Sequence, residues 1–429
     1  MPVNHYEWSW GGTLPELLRH SEVKHSLLRD YLVDYFLTLV ASPRQDKIQL
    51  TVVDGFCGGG RYLSEAGIVM PGSPLVILKA IEAAKTRVMV EQQRRKDIAF
   101  DVKLICIDKD KSAVAHLRKV LEEEGYSQHL ATGAVQLLVG DFSSKAEAVI
   151  AEVQRRSPRS GRSLFVLDQY GYIQVPLPVL SQIFTKLRQA EVILTFNIDS
   201  LLNYLNQTNV ERFERKTGLL DVVSAADMDK RQRGPGWRVR VQANMYQRLT
   251  EGSGATFFTP FFIRPDKGHG DFWLLHLSKH WKARDVMATA HWRHHNHFVH
   301  YGAAGFDMFS TGYAARIDDD ERQQAAFEFD DAASQASRSA MMGQIPEALS
   351  AAPDGVRFKD FFVERVNSTP VTEAMFEKAV LALVREREVE VVGNNGSLRN
   401  VRKALQADHV LRLRRQRSLI LLPSDFSLA

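Results

Sequence analysis

The sequence predicts an α/β protein, a parallel sheet with helices on both faces, followed by a small α+β module. Three observations predict it. Apolar runs alternate with helical stretches from about residue 47 to residue 200, four of these runs end in a carboxylate, and the first breaks at once into glycines. Parallel strands buried on both faces read as continuous apolar runs, and ligands bind at their carboxyl ends.

Residues 14 to 40 carry Leu27, Leu28, Tyr31, Leu32, Tyr35 and Phe36 at helical spacing, which predicts an amphipathic helix feeding the first strand. Thr51-Val52-Val53 then runs into Asp54 and the turn Gly55-Phe56-Cys57-Gly58-Gly59-Gly60. Glycine at such a turn lets a ligand approach backbone N–H groups with no Cβ in the way. Pro71-Gly72-Ser73-Pro74 is a second turn, opening a helix through about Ala84. Val102 to Ile107 ends in Asp108 and leads to a helix through Glu124; Ala134 to Val139 ends in Gly140-Asp141-Phe142, with a helix from about Ala146 to Arg155. Ser163 to Leu167 ends in Asp168-Gln169-Tyr170-Gly171, and a helix over Leu180 to Arg188 precedes a strand over Glu191 to Asn197.

Residues 206 to 250 interrupt this rhythm as a charged, helical insertion, and Phe257 to Ile263 with Asp271 to Leu277 reads as a hairpin closing the sheet. The expected organisation is a first domain over 1–300, a helical connector over 301–355 and a winged-helix-sized module over 356–429. That module rests on a helix over Thr372 to Arg385, a strand over Val389 to Val392, the turn Asn394-Asn395-Gly396 and a strand over Ser418 to Leu422.

A length of 429 residues fits about two domains, and a net charge of +4 does not by itself diagnose a polyanionic partner. Two cysteines, Cys57 and Cys106, exclude a disulfide framework or a thiolate zinc cage built from this chain, which fits a reducing cytoplasm. No basic leader with an apolar core opens the sequence, and no apolar run of about 18 residues occurs, so no membrane association is expected.

The four carboxylates suit S-adenosylmethionine. Gly58, Gly59 and Gly60 let backbone pass the methionine part, Asp54 can orient its ammonium, Asp108 can accept from both ribose hydroxyls, and Asp141 can accept from the adenine amine with Phe142 against the ring. The turn is neither G-x-G-x-x-G nor followed by a Walker lysine, which disfavours a dinucleotide or nucleoside triphosphate site. Asp108 lies well beyond the roughly 20 residues expected after such a turn, so a loop and helix over 61–100 must be inserted. At the fourth strand end, Asp168 and a neighbouring carbonyl can accept from an exocyclic amine while the ring of Tyr170 stacks on a base, which is amino-group methylation chemistry. The plainer alternative is a set of strand-ending turns with a packed tyrosine.

With Asp54-Gly-Phe56-Cys-Gly58-Gly-Gly60-Arg61-Tyr62, Gly72-Ser73-Pro74, Asp168-Gln169-Tyr170-Gly171 and an upstream Lys24-His25, the chain resembles the three-Cys-motif partner (TcmP) family over roughly residues 5 to 300. The resemblance implies a Rossmann-like class I methyltransferase sheet, a cofactor site including Phe56, Gly58 and Gly60, and substrate contacts from Lys24, Arg61, Tyr62 and Ser73. It implies catalytic roles for Asp168, Gln169 and Tyr170, a three-Cys-motif, radical-SAM-like partner protein, and a C-terminal winged helix. Members usually carry Ala and Pro where this chain has Cys57 and Gly59, and Pro where it has Gln169; loss of the fixed proline φ predicts a looser loop there.

Arg399, Arg402, Lys403, Arg412, Arg414, Arg415 and Arg417 concentrate positive charge late in the winged-helix module, a candidate phosphate footprint or a protein dock. Arg231, Arg233, Arg238 and Arg240 can add to a nucleic-acid groove or decorate an exposed insertion. His291, His294, His295, His297 and His300 form a dense cluster without a carboxylate or cysteine pattern, so no metal is expected; polar surface is the favoured reading, with phosphate or partner contact the alternative. The expected function is methyl transfer to an amino group of a nucleic-acid base, with family context pointing to phage defence. The alternative is a catalytically inactive, methyltransferase-like adaptor binding nucleic acid or the partner protein.

Overall fold

The structure is a computed structural model that describes residues 7–42, 45–91, 98–169, 171–197, 209–223, 237–263, 272–294, 299–301, 304–306, 326–328, 330–393, 396–401 and 403–414. The chain divides into two compact units, Met1–Ala303 with Asp307–Ala333, and Ala304–Phe306 with Ser334–Ala429.

The first unit runs α1 (Arg19–Leu39), β1 (Lys47–Asp54), a hairpin of β2 (Arg61–Leu63) and β3 (Val69–Pro71), α2 (Ser73–Glu91), β4 (Ala99–Asp108), α3 (Lys111–Glu123), α4 (Ser127–Ala131) and β5 (Val135–Val139). It continues with α5 (Phe142–Arg156), β6 (Ser163–Asp168), α6 (Leu177–Lys186), β7 (Ala190–Asn197), α7 (Val210–Thr217) and α8 (Trp237–Ser253). It closes with β8 (Phe257–Ile263), β9 (Phe272–Ser278), α9 (Trp281–Arg293), β10 (Val299–Tyr301) and β11 (Ala326–Glu328).

The strand order is β11-β10-β8-β9-β7-β6-β1-β4-β5. Strands β5, β4, β1, β6 and β7 are parallel, while β9 runs antiparallel between β7 and β8. Seven strands therefore have the arrangement of a Rossmann-like methyltransferase sheet, with β10 and β11 added at one edge. The chain leaves β1 for β4 and β5 on one side and returns to β6 and β7 on the other. The crevice beside β1, where order reverses, is where such sheets bind ligands.

Period-two alternation builds one apolar layer on each face. Leu50, Val52, Leu104, Cys106, Leu164 and Val166 join Leu28, Leu32, Phe36, Leu75 and Leu117 in one cluster. Val53, Ile105, Ile107, Phe165 and Leu167 join Phe142, Val149, Ile183 and Leu249 in the other. Each such buried side chain contributes about 1.5–3 kcal/mol relative to exposure.

Three features depart from the sequence-based reading. Residues 61–100, expected as a loop and helix, contain the β2–β3 hairpin, and α2 extends beyond Ala84 to Glu91. Within residues 206–250, Phe213, Val241, Met245 and Leu249 are buried in the second layer, so α7 and α8 complete the core rather than decorate it. The sequence patterning missed this because the buried positions are diluted by charged neighbours on the opposite face. Among the described residues no helix is long and apolar enough to cross a membrane.

The second unit contains α10 (Asp331–Ser350), β12 (Val356–Arg357), α11 (Phe358–Arg365), α12 (Glu373–Arg385), β13 (Val389–Val392) and β14 (Val410–Leu413), with α10 entering at the unit's boundary. Helix α10, read from sequence as part of a connector, is thus mostly inside this unit. Phe306, Phe358, Phe361, Phe362 and Phe376 pack ring on ring as its core. Thr372 caps α12, its hydroxyl accepting from Met375 N at 3.2 Å. The sheet order β12-β14-β13 makes α11 and α12 the helix-turn-helix pair and β13–β14 the wing. The expected strand over 418–422 lies outside the described residues, and the partner of β13 is β14.

Candidate cofactor and transfer site

Asp54, Asp108 and Asp168 end β1, β4 and β6, and Asp141 follows β5, so all four gather at the carboxyl edge of the parallel strands. Four carboxylates thus line one edge of the sheet.

The turn after β1 is tied to its neighbours by its own backbone. Gly55 N donates to Val166 O at 2.9 Å, Cys57 N to Ile107 O at 3.0 Å and Gly58 N to Asp108 Oδ2 at 2.9 Å. Gly58 and Gly60 have φ of +58° and +86°, conformations that glycine adopts at no steric cost. Asp108 also accepts from Asp110 N through Oδ1 at 2.9 Å. Each of its oxygens keeps a further lone pair, so both can still accept from a ribose diol. Burial raises its pKa, partly offset by these two N–H donors.

Asp54 is 1% exposed. Oδ1 accepts from Phe56 N at 3.3 Å; the Ser73 hydroxyl lies beside the carboxyl, but among the described residues Oδ2 has no donor within hydrogen-bond distance. Burial pushes its pKa up to about 7, against the Ser73 hydroxyl and Phe56 N–H, while Asp168 and Asp108 raise it further. A buried carboxylate with an unfilled acceptor beside a glycine turn fits an ammonium group, which would both satisfy Oδ2 and favour ionisation.

Asp168 is held by Lys24 from α1, whose Nζ lies 2.6 Å from each carboxylate oxygen; the side chains are 32% and 11% exposed. Burial would raise its pKa, but the Lys24 charge and hydrogen bond, Thr195 and His25 outweigh it and hold the group below the usual carboxylate range. His20 and His25 flank this pair, and burial first, with the Lys24 charge, lowers both to about 4. They are neutral at pH 7.

Gln169 is 2% exposed, and its Oε1 accepts from Gln174 N at 3.0 Å and Val175 N at 3.2 Å. The looser loop expected from the missing proline is thereby corrected, because the side-chain amide clips the turn that proline would have stiffened through φ. Among the described residues its buried Nε2 has no partner. Tyr170 lies outside the described residues.

Asp141 is exposed at the start of α5 and borders a cleft of about 660 Å³ with Lys109, Asp110, Ser112, Glu7, Trp8 and Ser9. Phe142, expected against the adenine, is 1% exposed and packs on Phe165 and Phe56, so its ring belongs to the core. Sequence reasoning missed Trp8, whose only signal was an aromatic cluster, Trp8 and Trp10, ahead of the first helix.

Of the remaining candidates, Ser73 and Tyr62 stay near the turn. Arg61 pairs with Glu123 and Glu124 at 2.7 and 2.8 Å, at the end of α3, while Ser73 opens α2 beside Asp54. Tyr62 packs on Trp8. Cys57 and Cys106 are buried free thiols in mutual contact, and burial pushes both pKa values up. His294 bonds Asp30 at 3.0 Å and Arg293 bonds Asp34 at 2.8 Å, joining α9 to α1; His295 and His297 lie outside the described residues. Among the described residues no group of His, Cys, Asp and Glu could hold a metal.

In the second unit Arg399 and Lys403 are exposed, but Arg412 and Arg414 lie 3.2 and 3.8 Å from Glu390, which neutralises part of the wing. Arg231, Arg233, Arg402, Arg415, Arg417, Asn394 and Asn395 lie outside the described residues, as do the side chains of Arg238 and Arg240.

No curated protein matches the chain by sequence. Among solved structures, the chain is similar to a Legionella pneumophila protein of the DUF519 family, at 12% identity over 61% of this chain and 85% of that one, TM-score 0.33. It is similar to a Geobacter sulfurreducens methyltransferase, at 14% identity over 57% and 78%, TM-score 0.25. A third is a putative O-methyltransferase from Klebsiella pneumoniae, at 11% identity over 60% and 90%, TM-score 0.26. The fold assignment itself rests on the strand order and directions above. A family model described as GMT-like wHTH domain matches residues 312–396, so the chain joins a Rossmann-like methyltransferase sheet to a C-terminal winged helix-turn-helix domain.

Proposed function

We propose that this chain binds S-adenosylmethionine and transfers its methyl group to an amino group of a nucleic-acid base. The observation that carries the reading is Asp54, buried with an unfilled Oδ2 beside the glycine turn, with Asp108 and Asp141 at the next two strand ends. Asp54 would hold the cofactor ammonium, Asp108 its ribose and Asp141 its adenine amine, with Phe56, Gly58 and Gly60 shaping the turn. When bound, the cofactor supplies an electrophilic methyl group. Asp168, oriented by Lys24, keeps lone pairs that can accept from the target amine, and Gln169 holds the loop that carries Tyr170. The winged helix supplies affinity for nucleic acid through Arg399 and Lys403 on its exposed surface.

In this reading the chain is a cytoplasmic member of the TcmP family acting with a three-Cys-motif partner, and defence against phage is its setting. The test is calorimetric binding of S-adenosylmethionine, followed by transfer of a labelled methyl group to DNA or RNA. No binding by the wild-type protein, together with unchanged biological activity in Asp54→Ala and Asp108→Ala, would rule the reading out.

A second reading is a non-catalytic adaptor with the same body. It is favoured by the double hold of Lys24 on Asp168 and by Glu390 across Arg412 and Arg414. Cofactor binding without transfer of label to DNA, RNA or protein, and copurification of a three-Cys-motif protein, is its signature.

A further inference from the structure

The aromatic side of the cleft of about 660 Å³ comes from a segment outside the alternating pattern of strands and helices. Residues 7–18 form a strap along the β2–β3 hairpin: Leu17 N donates to Leu63 O at 2.7 Å, and Leu63 N to Pro15 O at 2.8 Å. Ahead of that anchor, Trp8 is 7% exposed, packs edge-on against Tyr62 at 5.1 Å and lies 5.3 Å from the His116 ring. His116 is fixed in turn, with Nδ1 2.6 Å from Gly59 O. Its other neighbour is Trp10, at 5.3 Å, over which Lys119 sits at 5.0 Å.

Gly59 is the seat of this arrangement. Unlike Gly58 and Gly60 it has no positive φ, so its backbone conformation does not itself call for glycine. A Cβ there would overlap the indole of Trp8, which makes the ring the reason for glycine at this position. The strap is thus fitted to the glycine turn itself.

The same tryptophan lines the cleft of about 660 Å³ that faces Asp110, Ser112 and Asp141. That volume suits a nucleoside-sized ligand, and the lining combines one aromatic with carboxylates that can accept from hydroxyls and an exocyclic amine. Phe142 offers the cleft no exposed ring.

We propose that the strap is part of the cofactor site, and that Trp8, seated on Gly59 and His116, supplies the aromatic contact to the adenosyl group. The proposal rests on the cofactor reading above and adds to it a binding residue from outside the sheet.

The test uses the full chain and S-adenosylhomocysteine as the probe, with affinity measured by calorimetry and strap protection by amide hydrogen exchange. Trp8→Ala is expected to weaken binding by about tenfold, the scale of losing one stacked aromatic, while Trp8→Phe stays within about threefold. Gly59→Ala should reproduce the loss by displacing the indole, and should add nothing to Trp8→Ala in the double variant. In the wild-type protein the probe should slow amide exchange in residues 8–12. Affinity in Trp8→Ala equal to wild type, or exchange in residues 8–12 indifferent to the probe, overturns the strap's role and leaves the cofactor site standing. If Trp8→Ala fails to fold, the wild-type exchange result and the Trp8→Phe and Gly59→Ala affinities decide the question. Failure of the wild-type protein to bind the probe overturns the cofactor reading and the proposal with it.

Discussion

Lys24 reaches both carboxylate oxygens of Asp168 at 2.6 Å, and seven residues later on the same helix Tyr31 donates its hydroxyl to Glu191. Seven helical residues rise about 10.5 Å, and the four strand steps from Glu191 to Thr195, which pairs with Asp168, span about 13 Å. Helix α1 therefore runs antiparallel to β6 and β7 and is fastened at both ends, by an ion pair at the site and a buried Tyr31–Glu191–His276 cluster below it. One helix thus sets the position of the Asp168 carboxylate at the strand edge.

Removing Lys24 leaves a partly buried carboxylate without its cation. Lys24→Ala is expected to cost about 1–3 kcal/mol in denaturant unfolding, less than a fully buried pair because Asp168 keeps some solvent contact. A double-mutant cycle with Asp168→Asn measures the coupling directly. Coupling near zero would show that the pair contributes nothing to the position of α1.

With the Asp54 carboxyl raised from 3.8 to about 7, the affinity of the proposed ammonium ligand is expected to depend on pH. An ammonium ligand requires the ionised form, so S-adenosylhomocysteine affinity should rise by about tenfold from pH 5.5 to 7, with proton release on binding. Asp54→Asn should bind weakly and lose this slope. For folding the sign is opposite: the native state holds the extra proton between 3.8 and about 7, so this contribution is complete below 3.8 and lost as pH rises through 7.

His20 and His25 act the other way. Their pKa values, lowered from 6.5 to about 4 by burial, mean that the unfolded chain binds more protons between these limits. Their contribution to stability is complete above 6.5 and lost as pH falls through 4. Denaturant midpoints should decline across this window, and His25→Gln should flatten part of the decline; an identical profile in the variant would exclude His25 as a source.

Gln169→Ala would leave Gln174 N and Val175 N without their acceptor. A loss of about 1–2 kcal/mol is expected, with faster proteolysis confined to residues 170–175. Gln169→Pro fixes φ but supplies neither bond and also removes the N–H that donates to Leu167 O at 3.0 Å, so it should not restore stability. Unchanged cleavage in the alanine variant would mean that the loop is held by other contacts.

On the wing, Lys403→Glu and Arg399→Glu should weaken nucleic-acid binding and lower the salt slope by about one for each phosphate no longer neutralised. Arg412→Ala should do less, because Glu390 already engages that guanidinium at 3.2 Å. Equal effects of the two kinds of change would indicate that Glu390 releases Arg412 on binding.

The sequence alone determined the α/β class, the carboxylates at four strand ends and the closing hairpin. The near-continuous apolar runs from Leu50 to Val53 and from Leu104 to Ile107 are written in residue type, because alternate side chains of each strand must fill a layer on both faces. A helix over 372–385 and a strand over 389–392 were legible for the same reason: local period, a Thr372 cap and β-branched residues speak for themselves.

Only the tertiary structure decided what those residues face. Lys24 and Asp168 are separated by 144 positions, and nothing local in either tells of the other. Gln169 was read as a loosened proline because its side-chain bonds to the Gln174 and Val175 N–H groups are invisible to backbone propensity. Phe142 packs in the core instead of lying open to a ligand, since a phenylalanine beside a strand-end aspartate can turn into the core as easily as outward. The indole of Trp8 meets Gly59 only when the strap is laid across the sheet edge. Strand propensity is local, whereas a site is assembled from distant segments whose packing the sequence does not spell out.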